Sequence, residues 1–163
     1  MDKEGFYSVN ANERISDCRM RHLKAMGKLM EGANIRSILD IGGVPEETKY
    51  FMGLFGCQNA TIINISEAVK AEPHEGMKII ISDIEKTEID GKYDLIIAGE
   101  LLEHIFDVDA FIEKVSNALN PGGYFLLSTP NAASWFNRIS LLFGWSLYGY
   151  NPSKKFIGNP LIK

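Results

Sequence analysis

The chain of 163 residues is poor in cysteine: Cys18 and Cys57 stand alone, with no CxxC unit and no close Cys/His grouping. This excludes a disulfide framework and gives no reason to expect a metal, so a reducing, cytoplasmic setting is expected. Long apolar runs are missing as well. No segment approaches the roughly 20 apolar residues that span a bilayer, and the opening MDKEGFYSVN has no signal core, so a soluble protein without a membrane span is expected. An excess of positive charge is also lacking. Lys and Arg number 17 against 21 Asp and Glu, a net charge of -4 that argues against nucleic acid as a partner. Internal repeats and low-complexity segments are absent.

One basic stretch runs against this balance. Arg14, Arg19, Arg21, His22, Lys24 and Lys28 alternate with apolar Ile15, Leu23, Met26 and Met30, which reads as an amphipathic helix with a solvated basic face. Beyond Gly32, short apolar segments alternate with helical patterns. Residues 36–41 (RSILDI), 60–65 (ATIINI), 77–81 (MKIII), 93–98 (YDLIIA) and 124–128 (YFLLS) read as strands. Pro45, Glu46 and Glu47 suit the first turn of a helix that ends at Gly56. Val108, Phe111, Ile112, Val115 and Leu119 recur at helical spacing after Asp107, and Asn120-Pro121-Gly122-Gly123 stops them. Such alternation predicts an α/β fold with right-handed crossovers and a doubly wound, mostly parallel sheet.

In open sheets of this kind ligands gather outside the carboxyl ends of the strands. The polar residues at those ends are Asp40 with Gly42 and Gly43, then Asn64, Asp83 and Glu100. Any one of them alone could be a helix cap or a solvated strand end. Four in series suggest a site.

With these residues in place, the sequence resembles the class I, Rossmann-like S-adenosylmethionine-dependent methyltransferases of the small-molecule type, which includes ubiquinone-biosynthesis O-methyltransferases. ILDIGG, INISE and SDIE, followed by the long segment with ELLEH, LNPGG and STPN, carry the likeness from about Arg36 to Asn131. The resemblance implies S-adenosyl-L-methionine as cofactor and a small-molecule acceptor. Asp40, Gly42 and Gly43 would cradle the methionine part, with Asp40 acting through nearby backbone or water. Asn64 falls where the family usually has an acidic residue gripping the ribose. Asp83 and the backbone of Ile84 would hold the adenine, and Gly99 and Glu100 would line the methionine side near the sulfonium.

Two departures from the family stand out. The glycine loop runs Gly42-Gly43-Val44-Pro45 without a further glycine, and Asn64 replaces a carboxylate, so weakened cofactor affinity is expected. Methyl transfer needs chiefly proximity and orientation, and a base is optional. For a hydroxyl acceptor His104 is the candidate base, with a structural role in its loop as the alternative. No NPPY-type tetrad follows the fourth strand, which argues against an adenine or glutamine amide acceptor. No G-x-G-x-x-G follows the first strand, which weakens a nucleotide-dependent oxidoreductase reading. His22 and His74 are assigned to the surface, and Asp94 to a structural role.

The expected organisation is one domain: a helical region over 1–34, a cofactor-binding core over 35–131 and an aromatic-rich segment over 132–163. The core supplies five strands of the family's seven. Trp135, Phe136, Leu141, Leu142, Phe143, Trp145, Tyr148 and Tyr150 are expected to pack into a core; a substrate lid, an interfacial membrane contact or a dimer surface are the alternatives. Because the fifth strand would otherwise be an open edge, the tail or a homodimer partner is expected to cover it. The rival to an enzyme is a non-catalytic module that keeps the fold and binds the cofactor weakly or serves another subunit.

Overall fold

A computed structural model describes residues 20–70 and 75–145. Arg14, Ile15, Cys18, Arg19, His74, Tyr148 and Tyr150 lie outside the described residues. The chain divides into two units, one ending at Thr129 and the other beginning at Pro130.

The first unit holds helix α1, described over 20–29, and then β1 (Ile38–Ile41), α2 (Pro45–Phe55), β2 (Ala60–Asn64), β3 (Met77–Ile81), β4 (Tyr93–Gly99), α3 (Val108–Ala118) and β5 (Leu119–Ser128). All strand pairs are parallel, in the order β3-β2-β1-β4-β5. This is the doubly wound, Rossmann-like arrangement expected from the sequence.

Side chains alternate across a strand, so each strand feeds two cores. Ile38, Leu95, Ile97 and Leu126 meet Leu23 and Met30 of the α1 region and Phe51 of α2 on one face. Leu39, Ile41, Ile96 and Ala98 meet Phe111, Val115 and Ala118 of α3 on the other. Covering on both faces explains why β1 and β4 are predominantly apolar, with Asp40 and Asp94 as their single charged residues. Burial of side chains this size stabilises by about 1.5–3 kcal/mol each before entropy is counted. In α1 the same logic leaves Arg21, His22, Lys24 and Lys28 exposed while Leu23 and Met30 are buried, so the basic face is a solvated one.

Helix boundaries follow local chemistry. Pro45 opens α2, and Gly56 closes it at φ 65°, a left-handed conformation that glycine adopts without steric cost. Asp107 caps α3 by accepting from the Ala110 N–H.

Two strand starts differ from the sequence reading. β1 begins at Ile38 rather than Arg36, because the N–H groups of Arg36 and Ser37 donate to Asp94 Oδ2. β5 begins at Leu119 rather than Tyr124: Leu119 already pairs with Tyr93, and a register shift between Tyr93 and Leu95 absorbs the Asn120–Gly123 turn as a bulge.

The second unit contains α4 (Trp135–Leu142), capped by Ser134 accepting from the Asn137 N–H. The expectation of core packing is corrected here. Trp135 is 73% exposed, Leu142 82%, Phe143 68% and Trp145 65%, whereas the polar Asn137 and Ser140 are the buried residues of the helix. Helical periodicity alone does not say which side of a helix is covered. Among the described residues no helix is long and apolar enough to cross a membrane.

Candidate active site

The chain reverses its direction of travel between β1 and β4, so the loops leaving their carboxyl ends part at a crevice. Ladder hydrogen bonds continue past the strand ends and keep these loops level. Gly42 N donates to Ile63 O at 2.8 Å, Ser82 N to Asn64 O at 2.9 Å and Glu100 N to Ser128 O at 2.9 Å. Asp40 and Asn64, in the last residues of β1 and β2, and Asp83 and Glu100, in the loops just past β3 and β4, thereby lie at the carboxyl ends of the strands.

Asp40 lies beneath the first loop rather than facing solvent, with only 1% of its surface exposed. Its Oδ2 accepts from Thr48 Oγ1 at 2.7 Å, and the same hydroxyl reaches Val44 O at 3.2 Å. A Cβ at Gly43 would overlap the Asp40 carboxyl group, so glycine there lets the loop settle onto the carboxylate. Gly42 takes φ +76°, and a Cβ at it would come within 3.2 Å of Leu101 Cδ1. The loops after β1 and β4 therefore close on each other at the switch point.

Asn64 is held by its own chain. Its Nδ2 donates to Gly43 O at 2.8 Å and its Oδ1 accepts from Ser66 N at 2.9 Å, which fastens the glycine loop to the end of β2. Asp83 accepts from Glu85 N at 3.1 Å and pairs with Lys86 Nζ at 3.0 Å. The Lys86 side chain, the Glu85 N–H and more distant Lys114 together hold the Asp83 carboxyl below the usual range, against a smaller opposing effect of desolvation. Ile84 is buried, and its carbonyl accepts from Lys114 Nζ at 2.8 Å, with Thr87 O at 2.7 Å from the same ammonium. Glu85 Oε1 accepts from the N–H groups of Phe106 and Asp107, joining this loop to the start of α3.

Gly99 ends β4 and is buried; Glu100 follows with φ 51°. A left-handed non-glycine residue is uncommon and such conformations concentrate at functional sites. Ser128 Oγ donates to Glu100 Oε1 at 2.9 Å, so the carboxylate is anchored from the end of β5. His104 is exposed at the close of a 3-10 turn (Leu102–His104), where its N–H donates to Leu101 O. It is not drawn into the Asp40, Asn64 or Glu100 networks described above.

Thr48, Leu101, Lys114 and Ser128 were not singled out in the sequence. Ser128 carried a signal, since it is one more polar residue at a strand end. The other three take their places through packing between elements distant in the chain. At the amino ends of β2 and β3 an open cavity of about 830 Å³ is lined by Met52, Gly56, Cys57, Gln58, Gly76 and Met77, and none of the predicted site residues borders it.

The methyltransferase-domain family matches residues 10–154. A ubiquinone biosynthesis O-methyltransferase from Methylobacterium nodulans is 28% identical over 133 residues, covering 74% of this chain and 53% of that protein. Among solved structures, an S-adenosylmethionine dependent methyltransferase from Mesorhizobium loti aligns with TM-score 0.56 and 28% identity, over 66% of this chain and 50% of that one. The plantazolicin methyltransferase BpumL, in complex with a monoazolic desmethylPZN analogue and SAH, shares the fold at TM-score 0.64 and 19% identity, over 85% of this chain and 56% of that one. The chain spans about half the length of these relatives.

Proposed function

We propose, because the chain belongs to the methyltransferase-domain family, that it binds S-adenosylmethionine at the carboxyl edge of its sheet and serves transfer of a methyl group to a small-molecule hydroxyl. The observation that carries this reading is the Gly42-Gly43 turn seated on buried Asp40 at the switch point, with Asn64 at the end of β2 and Asp83 and Glu100 on the loops after β3 and β4. The hydroxyl acceptor is supported by relatives named ubiquinone biosynthesis O-methyltransferases.

The residues fit the two halves of the cofactor unequally. Backbone at Gly42 and Gly43 would hold the methionine part, since no side chain at either position keeps a ligand away. Glu100 and Gly99 would border that part near the sulfonium, with Glu100 kept in place by Ser128. Asp83 and the backbone of Ile84 would hold the adenine. Asn64 fits the ribose less well: its amide nitrogen is used by Gly43 O and its oxygen by Ser66 N. When bound, the cofactor supplies a methyl group already activated on sulfur. The chain's part is then to bind, orient and exclude water. His104 would receive the acceptor's proton; its exposed position requires the acceptor to be seated beside the 3-10 turn.

Calorimetric titration of the full chain with S-adenosylmethionine tests the reading. Heat of one-site binding is expected, and Asp83→Ala is expected to bind about tenfold more weakly, the scale of lost hydrogen bonds to a charged group. No binding by the unaltered chain overturns the proposal. Unchanged affinity in Asp83→Ala removes that residue from the site.

A further inference from the structure

The second unit exposes apolar surface on a helix whose buried residues are polar. At about 100° per residue, Trp135, Ile139, Leu142 and Phe143 fall within an arc of about 100° along one side of α4. Trp135, Leu142 and Phe143 are each more than two-thirds exposed, and Ile139 is 44% exposed. Trp145 follows the helix at 65% exposure and stacks at a tilt on Phe143. Trp135, which opens the helix, and Trp145, three residues past its end, are the two tryptophans of the sequence. Arg138 is exposed and adjoins the Leu142 edge of the stripe.

Charge separates the possible occupants of this face. All 21 acidic residues of the chain lie at or before Glu113, while Lys114, Arg138, Lys154, Lys155 and Lys163 follow it. The sequence from Pro130 to Lys163 has no acidic side chain, although the whole chain is net negative. A face meant for a second copy would gain nothing from excluding acids, because identical cationic segments repel across a two-fold axis. An apolar stripe flanked by the two tryptophans, with Arg138 beside it and no acidic side chain in the sequence from Pro130 onward, is what the interface of an anionic bilayer attracts.

We propose that residues 130–145 are an interfacial membrane anchor that lays α4 in the headgroup region of an anionic phospholipid surface, with Trp135, Ile139, Leu142, Phe143 and Trp145 inserted and Arg138 among the phosphates. The helix is too short to span, having eight residues, so it lies in the plane of the surface. The anchor stands independently of the methyl-transfer reading, because it rests on no residue of the proposed cofactor site.

Vesicle binding of the full chain tests the anchor, with tryptophan emission as a readout that comes from this segment alone. Cosedimentation and a blue shift are expected with vesicles that are about one-third phosphatidylglycerol, with much less of both on phosphatidylcholine alone. Acyl chains brominated near the headgroup are expected to quench the emission. The double variant Leu142→Ser, Phe143→Ser is expected to lower partitioning at least about tenfold, and Arg138→Glu several-fold on anionic vesicles only. Should the double variant fail to fold, quenching of the unaltered chain still decides. The proposal is overturned by absence of vesicle binding, by equal binding to both vesicle types, or by binding without quenching. It is also overturned if the blue shift follows protein concentration without lipid, which makes the face a contact between copies. A shift produced by S-adenosylmethionine without lipid makes it a lid and likewise overturns the anchor.

Discussion

Asp94 and Asp83 sit at opposite ends of the same sheet and are both held in the ionised form, yet their surroundings differ in kind. Asp94, at the amino end of β4, accepts at Oδ2 from Arg36 N (2.9 Å), Ser37 N (3.1 Å) and Ser37 Oγ (3.2 Å), and at Oδ1 from Asn120 Nδ2 (2.7 Å). It joins the chain just before β1, β4 and the start of β5 into one knot. Asp83, past the carboxyl end of β3, is bonded among the described residues within its own turn, to the Glu85 N–H and to Lys86, whose side chain is 83% exposed. The first carboxylate is fully engaged by the fold; the second can exchange a surface partner for a ligand. A carboxylate in a parallel sheet is therefore read by which end it occupies and by how many of its acceptor sites the fold has already filled.

The comparison breaks most directly at Asp94. Asp94→Ala is expected to cost about 3 kcal/mol in urea unfolding, because two strand-leading N–H groups lose their acceptor at once. Cofactor affinity per folded molecule should not change. Desolvation pushes the Asp94 carboxyl up, but the bonds from Asn120, Arg36 and Ser37 together outweigh it and hold the group below its ordinary value. A depressed folded-state value contributes stability that is present above the unfolded value, about 3.9, and is lost as pH falls through the folded one. Unfolding free energy should thus decline from about pH 4 downward, and Asp94→Asn should flatten that decline. An unaltered pH profile in Asp94→Asn would mean that the knot does not stabilise through its charge.

A smaller loss of stability with a larger loss of binding is expected at the other end. In Gly43→Ala the new methyl group meets the Asp40 carboxylate, which Thr48 holds from the far side. Overpacking of this sort costs about 1–3 kcal/mol, and relief requires lifting the loop off its support. Calorimetry should find S-adenosylmethionine binding weakened well beyond tenfold, while circular dichroism still reports the native helices. Retained affinity would mean that the loop's seat on Asp40 has no part in binding.

Much of this contrast is legible in the sequence. Short, mostly apolar segments such as ILDI and LIIA, alternating with helical patterns, read as strands covered on both faces, and polar residues at their carboxyl ends fall at the ligand edge of a parallel sheet. Asp94 was legible for the same reason, being early in its strand. The partners of these residues were not. Thr48 under Asp40, Leu101 against Gly42 and Lys114 across the β3 loop depend on how helices cross the sheet, which no local pattern encodes. Nor could periodicity announce that α4 turns its apolar side outward, since a pattern gives the stripe and leaves open what covers it.

Asn64 carries the smallest expected effect on stability, and its sign is the most informative. From sequence alone its neutral amide looks like a defect in ribose binding that Asn64→Asp would repair. Within the fold the amide nitrogen is a donor that ties Gly43 O to the end of β2, a role no carboxylate can fill. Asn64→Asp replaces that donor by an acceptor facing a carbonyl, so the glycine loop loses its lateral tie and the carboxylate turns away from it. The expected cost is about 1 kcal/mol in unfolding free energy. Affinity for S-adenosylmethionine should fall several-fold, because the stronger grip a carboxylate offers to ribose hydroxyls does not offset a displaced Gly42-Gly43 backbone. Asn64→Ala should lower stability similarly, since it removes the same donor without adding repulsion. Tighter binding by Asn64→Asp would show that the loop holds its shape without the amide, and Asn64 would then be a ligand-facing residue instead of a brace.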